Sequence, residues 1–106
     1  MFTQKKTERG FGMIEFSDRY GEDCQIQKSS LAFEECIWFG IADATPQIMA
    51  IDAHKVGIDT DQGCGWIPYP VPKEVLLTTR MHLTQDQVRK LLPILQRFAD
   101  TGELKL

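Results

Sequence analysis

Three prolines stand at every second position of one segment, and this spacing limits the fold of the chain more than any other feature. The segment covers residues 65–72 and reads GWIPYPVP. Proline has no backbone N–H to donate, so the segment can be neither the interior of a helix nor a central strand. We predict an edge strand or a polyproline-like arm in which Trp66 faces one side and Tyr69 faces the other.

Several strand patterns precede this arm. Residues 11–16 and 24–27 flank a turn sequence, SDRYG, and are predicted to form a hairpin. Residues 35–42, ECIWFGIA, are rich in β-branched and aromatic residues and are predicted to form a central strand that is buried on both faces. Residues 47–51 are predicted to form a further strand, and residues 52–65 a long loop rich in glycine and acidic residues.

Another strand is predicted after the arm. Apolar and polar residues alternate across residues 75–83, which places Thr78, Arg80 and His82 together on one face. The opposite face is apolar and is expected to belong to the core.

The C-terminal segment has the pattern of a helix. Thr84 and Gln87 are spaced as a T-x-x-Q capping box, and the apolar residues that follow recur three and four positions apart. This pattern predicts one amphipathic helix that docks on the sheet, bends at Pro93 and ends at Gly102. The predicted fold class is therefore α+β, a small and mostly antiparallel β-sheet packed against one C-terminal α-helix.

The length of 106 residues suits one domain. We expect residues 1–9 to be a mobile polar tail and residues 10–106 to form a single α+β domain. No apolar run is long enough to span a membrane and the polar first residues lack a signal core, so the expected location is the cytosol. The three cysteines contain no C-x-x-C pair and are expected to be reduced, mostly buried thiols.

Charge is distributed unevenly along the chain, whose net charge is −3. Residues 15–61 contain ten acidic and three basic residues, whereas residues 62–106 contain six basic and four acidic residues. A nucleic-acid-binding protein needs a broad cationic face, and these residues offer at most a local one. We therefore do not expect nucleic acid to be a partner.

The sequence contains no motif for catalysis or metal binding. It lacks the G-x-S-x-G, P-loop, H-E-x-x-H and G-x-G-x-x-G patterns, and His54 and His82 are its only histidines. The cysteines and histidines are not spaced as zinc ligands, and in residues 59–63 the glycine comes one position too early for a calcium loop. We expect no enzymatic activity, no metal and no cofactor.

Aromatic and cationic residues near the prolines predict a binding surface instead. Aromatic rings of the arm can stack on a base, while the polar face of the next strand can hold a phosphate. In the alternative interpretation, the aromatic rings cover the end of a small core, Arg80 pairs with an acid and the serines are ordinary loop residues. The predicted ligand-binding residues are Trp66, Tyr69, Thr78, Arg80, His82, Ser29 and Ser30.

Several runs of the sequence resemble a family of short accessory proteins encoded in tailed phages and prophages of Proteobacteria. These runs are IQKSSLA, CIWFG, GWIPYPVP, LLTTRMHLTQDQV and LLPILQRFADTGEL. The similarity extends from about residue 16 onward. The family has no assigned activity, but small phage accessory proteins often inhibit bacterial defence.

The resemblance implies a role in overcoming host immunity. We expect a protein of the host bacterial cytosol that sequesters a nucleotide immune signal, such as a cyclic oligonucleotide or an ADP-ribose derivative, in a pocket completed by homo-oligomerisation. The alternative is an anti-CRISPR-like inhibitor that binds a host defence protein through its acidic middle or its aromatic arm. A hydrolase of such signals is a third class.

Overall fold

The computed structural model describes all 106 residues and divides them into two compact units. The sheet unit consists of Met1–Ala42 and Thr79–Leu106, and the inserted unit consists of Asp43–Thr78. The strands are β1 (Thr3–Lys6), β2 (Gly12–Ser17), β3 (Asp23–Lys28), β4 (Cys36–Ile41), β5 (Gln47–Met49), β6 (Trp66–Pro68) and β7 (Arg80–Thr84), and the α-helix is α1 (Gln85–Thr101).

The sheet unit has the predicted α+β architecture. Its five strands follow the order β1-β2-β3-β4-β7, and every neighbouring pair is antiparallel. The segment predicted to be the central strand forms β4, which pairs with β3 on one side and β7 on the other. No helix of the structure is both long and apolar enough to cross a membrane.

The predicted hairpin consists of β2 and β3, and its turn is organised by Asp18. Oδ1 of Asp18 accepts hydrogen bonds from the backbone N–H groups of Tyr20 at 2.8 Å and Glu22 at 3.0 Å. Gly21 has a φ of 82°, a conformation that glycine adopts without steric cost. The turn therefore fixes the register in which Ile14 lies opposite Ile26.

The first residues form a strand instead of the expected tail. Thr3–Lys6 pairs with β2 as the edge of the sheet, where Lys5 Nζ lies 3.0 Å from Glu15 Oε2. The ring of Phe2 lies 5.1 Å from that of Phe16. An edge strand can be polar on both faces, so the sequence TQKK carried no apolar alternation that would have predicted it.

The sheet has one polar and one apolar face. On the polar face, the register places Gln25, Gly40 and Arg80 in one row and Gln27, Trp38 and His82 in the next. The apolar face contains the alternate residues of the same strands, including Ile26, Phe39 and Met81 in one row. The face predicted for Arg80 and His82 is confirmed, whereas β4 is not buried on both faces as predicted, because only its first residue, Cys36, is buried.

Helix α1 begins and ends as its sequence predicts. The Thr84 hydroxyl accepts from the Gln87 N–H at 3.1 Å, and the Gln87 side chain accepts from the Thr84 N–H at 2.9 Å. Gly102 ends the helix with a φ of 78°. Docking on the sheet is far less complete than predicted, because no residue of α1 is buried.

The inserted unit has a small core of its own. Ala50, Ala53 and Ile67 are buried, and Ile48 and Ile58 pack against them. Residues Ala50–Val56 form a 3-10 helix where the sequence suggested the end of a strand and the start of a loop. The spacing of the two alanines explains this difference, because residues three apart lie on the same side of such a helix.

The proline-rich segment is an edge strand, as predicted. Only Trp66–Pro68 pairs, with β5, and its middle residue Ile67 is the buried one. The predicted strand over residues 75–83 is shorter than expected, because β7 begins at Arg80. Arg80 lies opposite Gly40 and β4 ends at Ile41, so the residues before Arg80 have no strand to pair with.

Candidate functional site

A cluster of side chains occupies the centre of the polar face of the sheet. Its members come from three adjacent strands and the loop after β3, and we refer to them as the Arg80 cluster. They are Gln25, Gln27, Ser29, Trp38, Arg80 and His82.

Arg80 joins the strands of this cluster. Its Nη1 donates to the Oε1 atoms of Gln25 and Gln27, both at 2.9 Å. These glutamines lie on β3, so the arginine side chain crosses β4 to reach them. Its Cζ atom lies 5.4 Å from the ring centroid of Trp38, in the range of a cation–π contact. The guanidinium is thereby held at the middle of the face, with no hydrogen bond to Nη2 or Nε.

The absence of a side chain at Gly40 makes this crossing possible. Gly40 lies directly opposite Arg80 in the β4–β7 register. A Cβ atom added to Gly40 would lie 2.5 Å from the carbonyl oxygen of Thr79, 3.0 Å from Arg80 Cα and 3.4 Å from Arg80 Cγ. Backbone and side chain of β7 therefore approach β4 more closely here than any other residue type would allow.

His82 and Trp38 form a stacked pair beside the guanidinium. They are cross-strand partners, and their ring centroids lie 3.9 Å apart with an interplanar angle of 12°. The Nε2 atom of His82 lies 3.0 Å from the hydroxyl of the buried Ser29, which fixes the plane of the imidazole. One face of the indole is therefore covered by a ring that is itself held in place.

A cavity of about 400 Å³ opens beside Trp38. Its lining comes from β2, β3, β4 and the loops before β2 and after β3, and it includes neither His82 nor Arg80. Arg9 contributes a cation, and its Cζ lies 5.6 Å from the ring of Phe11. The lining residues of this Trp38 cavity are Thr7, Glu8, Arg9, Phe11, Met13, Gln27, Ser30 and Trp38.

The two arginines of this face lack anionic partners. Neither Arg80 nor Arg9 takes part in any of the salt bridges of the structure, whereas Lys5 is neutralised by Glu15. Arg80 is held by neutral amide oxygens and an aromatic ring, which leave its charge uncompensated. An anion that reached the Arg80 cluster would meet a guanidinium already held in position, whereas at the cavity the charge of Arg9 is opposed by that of Glu8 in the same lining.

The nearby Cys36 thiol is an unreactive part of this region. It is buried, and this burial raises the pKa of the Cys36 thiol, with a smaller contribution from the negative charge of Glu34. A thiol with a raised pKa contains little thiolate at neutral pH. Burial likewise raises the pKa of Cys24, and nearby Asp18 adds to the effect. We therefore assign neither thiol a chemical role.

The structure brings together only part of the predicted site. Ser29, Arg80 and His82 meet in the Arg80 cluster, and Ser30 lines the Trp38 cavity. Trp66, Tyr69 and Thr78 belong to the inserted unit, where all three are exposed.

Sequence reasoning missed the aromatic residue of the site. Trp38 was assigned to a strand buried on both faces, yet it is only partly buried and provides the ring beside Arg80. The sequence did offer one signal for Trp38. It stands two residues before Gly40 and therefore lies on the same face of β4 as the glycine that Arg80 crosses. The glutamines on alternate positions of β3 were also visible, but their partner is 53 to 55 residues away in sequence.

The fold and this surface define a small α+β protein with a cationic and aromatic cluster on one open face of an antiparallel sheet. No group of three or more histidine, cysteine or acidic side chains could hold a metal ion. No family model, curated protein or solved structure matches the chain.

Proposed function

We propose that the protein binds a small anionic ligand with an aromatic ring, of the nucleotide class, on the polar face of the sheet unit. The observation that carries the proposal is Arg80, a half-buried cation without a carboxylate partner that is fixed over Trp38. A guanidinium held in position in this way suits a phosphate, because its remaining N–H groups can donate two parallel hydrogen bonds to phosphate oxygens.

The Trp38 cavity is the space in which the aromatic part of the ligand would bind. One face of the indole is stacked on His82, and the cavity that Trp38 lines also has Phe11 in its lining. Bases stack on such rings with a contribution of about 1–3 kcal/mol each. Arg9, Ser30 and Thr7 add a cation and two hydroxyl groups around the same space. A volume of about 400 Å³ lies within the range of small-molecule sites.

The biological role follows from the resemblance to phage accessory proteins. In this proposal the protein acts in the bacterial cytosol and sequesters a nucleotide immune signal without converting it. Sequestration needs only affinity. The one hydroxyl beside a base in the Arg80 cluster is that of Ser29, 3.0 Å from His82 Nε2, but it is buried and no third side chain orients the imidazole from its other nitrogen.

Tryptophan fluorescence tests where a ligand binds, because the chain has only Trp38 and Trp66. Cyclic di-AMP, cyclic di-GMP and ADP-ribose are titrated into Trp66→Phe, which reports on Trp38, and into Trp38→Phe, which reports on Trp66. The proposal expects saturable quenching in Trp66→Phe. Quenching only in Trp38→Phe would place the ligand on the proline-rich arm and refute the site proposed here.

Calorimetric titration with the same three ligands tests the role of Arg80. Arg80→Gln should weaken binding by about 10–100-fold, as expected for the loss of hydrogen bonds to a charged group. Arg89→Gln is the matched control, because Arg89 is an exposed cation on α1 with an Asp86 partner. Absence of heat with all three ligands in a folded wild-type sample would contradict the proposal.

A second candidate function rests on the inserted unit. Trp66 is 62% exposed and lies opposite the exposed Met49 in the β5–β6 register. Asp59 and Asp61 are exposed and take part in no salt bridge. Exposed tryptophan near unpaired charge is typical of a protein-binding surface, so this unit could bind a host defence protein as an anti-CRISPR-like inhibitor.

Pull-down of host nucleases and surveillance complexes from infected cells tests this second function. Trp66→Ala and the double reversal Asp59→Lys with Asp61→Lys should each reduce recovery of a partner, while Arg80→Gln should not. Equal recovery with wild type and all variants would refute binding through the inserted unit.

A further inference from the structure

The apolar face of the sheet unit is left uncovered, and this face lies opposite the Arg80 cluster. Helix α1 follows β7 and has an apolar stripe, yet several apolar residues of both surfaces are more than one third exposed. On α1 these are Leu92 (58%), Leu95 (51%) and Phe98 (54%). On the sheet they are Phe2 (70%), Met81 (57%), Ile41 (38%) and Ile14 (37%).

The helix covers the sheet only in part, since Val88, Leu91 and Ile94 are its partly buried apolar residues and none of its residues is buried. Val88 of α1 lines a cavity of about 230 Å³ together with Ile37 and Leu83 of the apolar face. Leu92, Leu95 and Phe98 of the same helix are each more than half exposed. Each chain therefore presents two unsatisfied apolar surfaces, a helical stripe and a sheet face.

We infer that a second copy of this chain covers these surfaces, in a symmetric dimer in which α1 of each protomer packs on the apolar sheet face of its partner. A two-fold interface requires both complementary surfaces on one chain. The helical stripe and the sheet face meet this requirement. The two-fold rotation places the stripe of each protomer on the sheet face of the other, so both surfaces of both protomers are covered.

The exposed area agrees with a dimer interface. If each of the seven side chains is given the roughly 150–250 Å² of an aromatic residue, they leave at most roughly 550–900 Å² exposed. This sum covers two surfaces, the helical stripe and the sheet face. Each partner of a stable complex buries about 800 Å², so the two surfaces together suit an interface.

Charge does not oppose this association. Four of the five charged residues of α1 are in ion pairs within their own chain, since Asp86 contacts Arg89 at 3.1 Å and Lys90 at 2.9 Å, and Arg97 contacts Glu103 at 3.3 Å. The fifth, Asp100, accepts a hydrogen bond from the neutral Gln96. The approaching copies therefore meet no row of uncompensated like charge beside the apolar stripe.

Sedimentation equilibrium of the full chain from about 1 to 200 µM tests the dimer. Wild type should show twice the mass of one chain. Leu95→Lys should raise the dimer dissociation constant by roughly a hundredfold or more, about tenfold for each of two symmetric contacts. Gln96→Lys is the matched control, because the neighbouring Gln96 is an exposed polar residue that bonds Asp100 of its own helix. It should remain a dimer.

Circular dichroism serves as the control for folding. Each variant should be folded, because Leu95 is already half exposed within the chain. A wild-type mass of one chain over the whole range would overturn the inference. A dimer that Leu95→Lys does not weaken would also overturn it.

Cross-linking between different copies tests which surfaces meet. One preparation carries Leu95→Cys and the other Met81→Cys, both with Cys64→Ser, since Cys64 is the exposed native thiol. After mixing, a short bis-maleimide should link one copy of each preparation, because the helix of one protomer lies on the sheet of the other. Links within the Leu95→Cys preparation alone would indicate a helix-to-helix interface and contradict the arrangement proposed.

Discussion

Replacement of Gly40 by alanine tests the geometry on which the Arg80 cluster depends. The added Cβ would lie 2.5 Å from the Thr79 carbonyl oxygen, whereas ordinary contacts begin at 3.4 Å. The backbone of β7 must therefore retreat by about 0.9 Å, or β4 must move by the same distance. Backbone has no alternative rotamer, so the clash cannot be relieved by a side-chain movement.

Overpacking of this kind costs about 1–3 kcal/mol of the free energy of unfolding. A loss of about 2 kcal/mol should lower the Tm by about 8–16 °C in a chain of this size. The effect should be larger than that of an average surface substitution because the clash separates two hydrogen-bonded strands, and because Arg80 Cγ also lies 3.4 Å from the new atom.

Gly12→Ala provides the control. Gly12 is also a strand residue, but a Cβ added there would meet nothing within 4 Å. Alanine at this position should be neutral or should stabilise the fold by up to about 1 kcal/mol, because it restricts the unfolded chain. Thermal unfolding is followed by circular dichroism. A Gly40→Ala protein that melts within about 2 °C of Gly12→Ala would refute the close approach of β4 and β7.

Three further predictions concern helix α1 and the cysteines. Thr84→Ala should lower the free energy of unfolding in urea by about 1 kcal/mol, and Thr84→Ser should restore it; equal midpoints would contradict the capping box. Ellman's reagent should titrate one thiol in the native chain, that of Cys64, and three in denaturant, whereas three fast native thiols would contradict the burial of Cys24 and Cys36. Because burial raises the pKa of those two thiols, the folded state holds their protons more tightly. Stability should therefore be complete below about pH 8.5 and should fall as the pH rises toward 10, with a shallower fall in Cys36→Ala.

Local patterns in the sequence were sufficient to predict most of the sheet unit. The capping box of Thr84 and Gln87 depends on residues three apart, and the β2–β3 turn depends on Asp18 and Gly21. In the inserted unit, the proline spacing correctly excluded a central strand at Trp66–Pro68. In each case the physical determinant lies within a few residues of the element that it specifies.

The parts that the sequence did not predict depend on distant partners. Residues 75–79 alternate like a strand but have nothing to pair with, because the register of β4 with β7 begins only at Gly40 and Arg80. The site was assigned to Trp66 because the proline-rich arm precedes Arg80 in sequence. Arg80 instead contacts Trp38, since β4 is its neighbour in the sheet. Pairing between strands separated by an inserted unit cannot be derived from spacing alone.

The proposed ligand site and the proposed dimer interface lie on opposite faces of one sheet. An experiment can therefore refute one of these proposals without refuting the other. Arg80 and Leu95 share no partner, so Arg80→Gln should weaken ligand binding by about 10–100-fold and leave the dimer mass unchanged, while Leu95→Lys should weaken the dimer and leave ligand binding unchanged. If Leu95→Lys weakened ligand binding as strongly as Arg80→Gln, the ligand would have to contact both copies. The pocket would then be completed by oligomerisation, as the sequence suggested, and the polar face of a single chain would not be sufficient for binding.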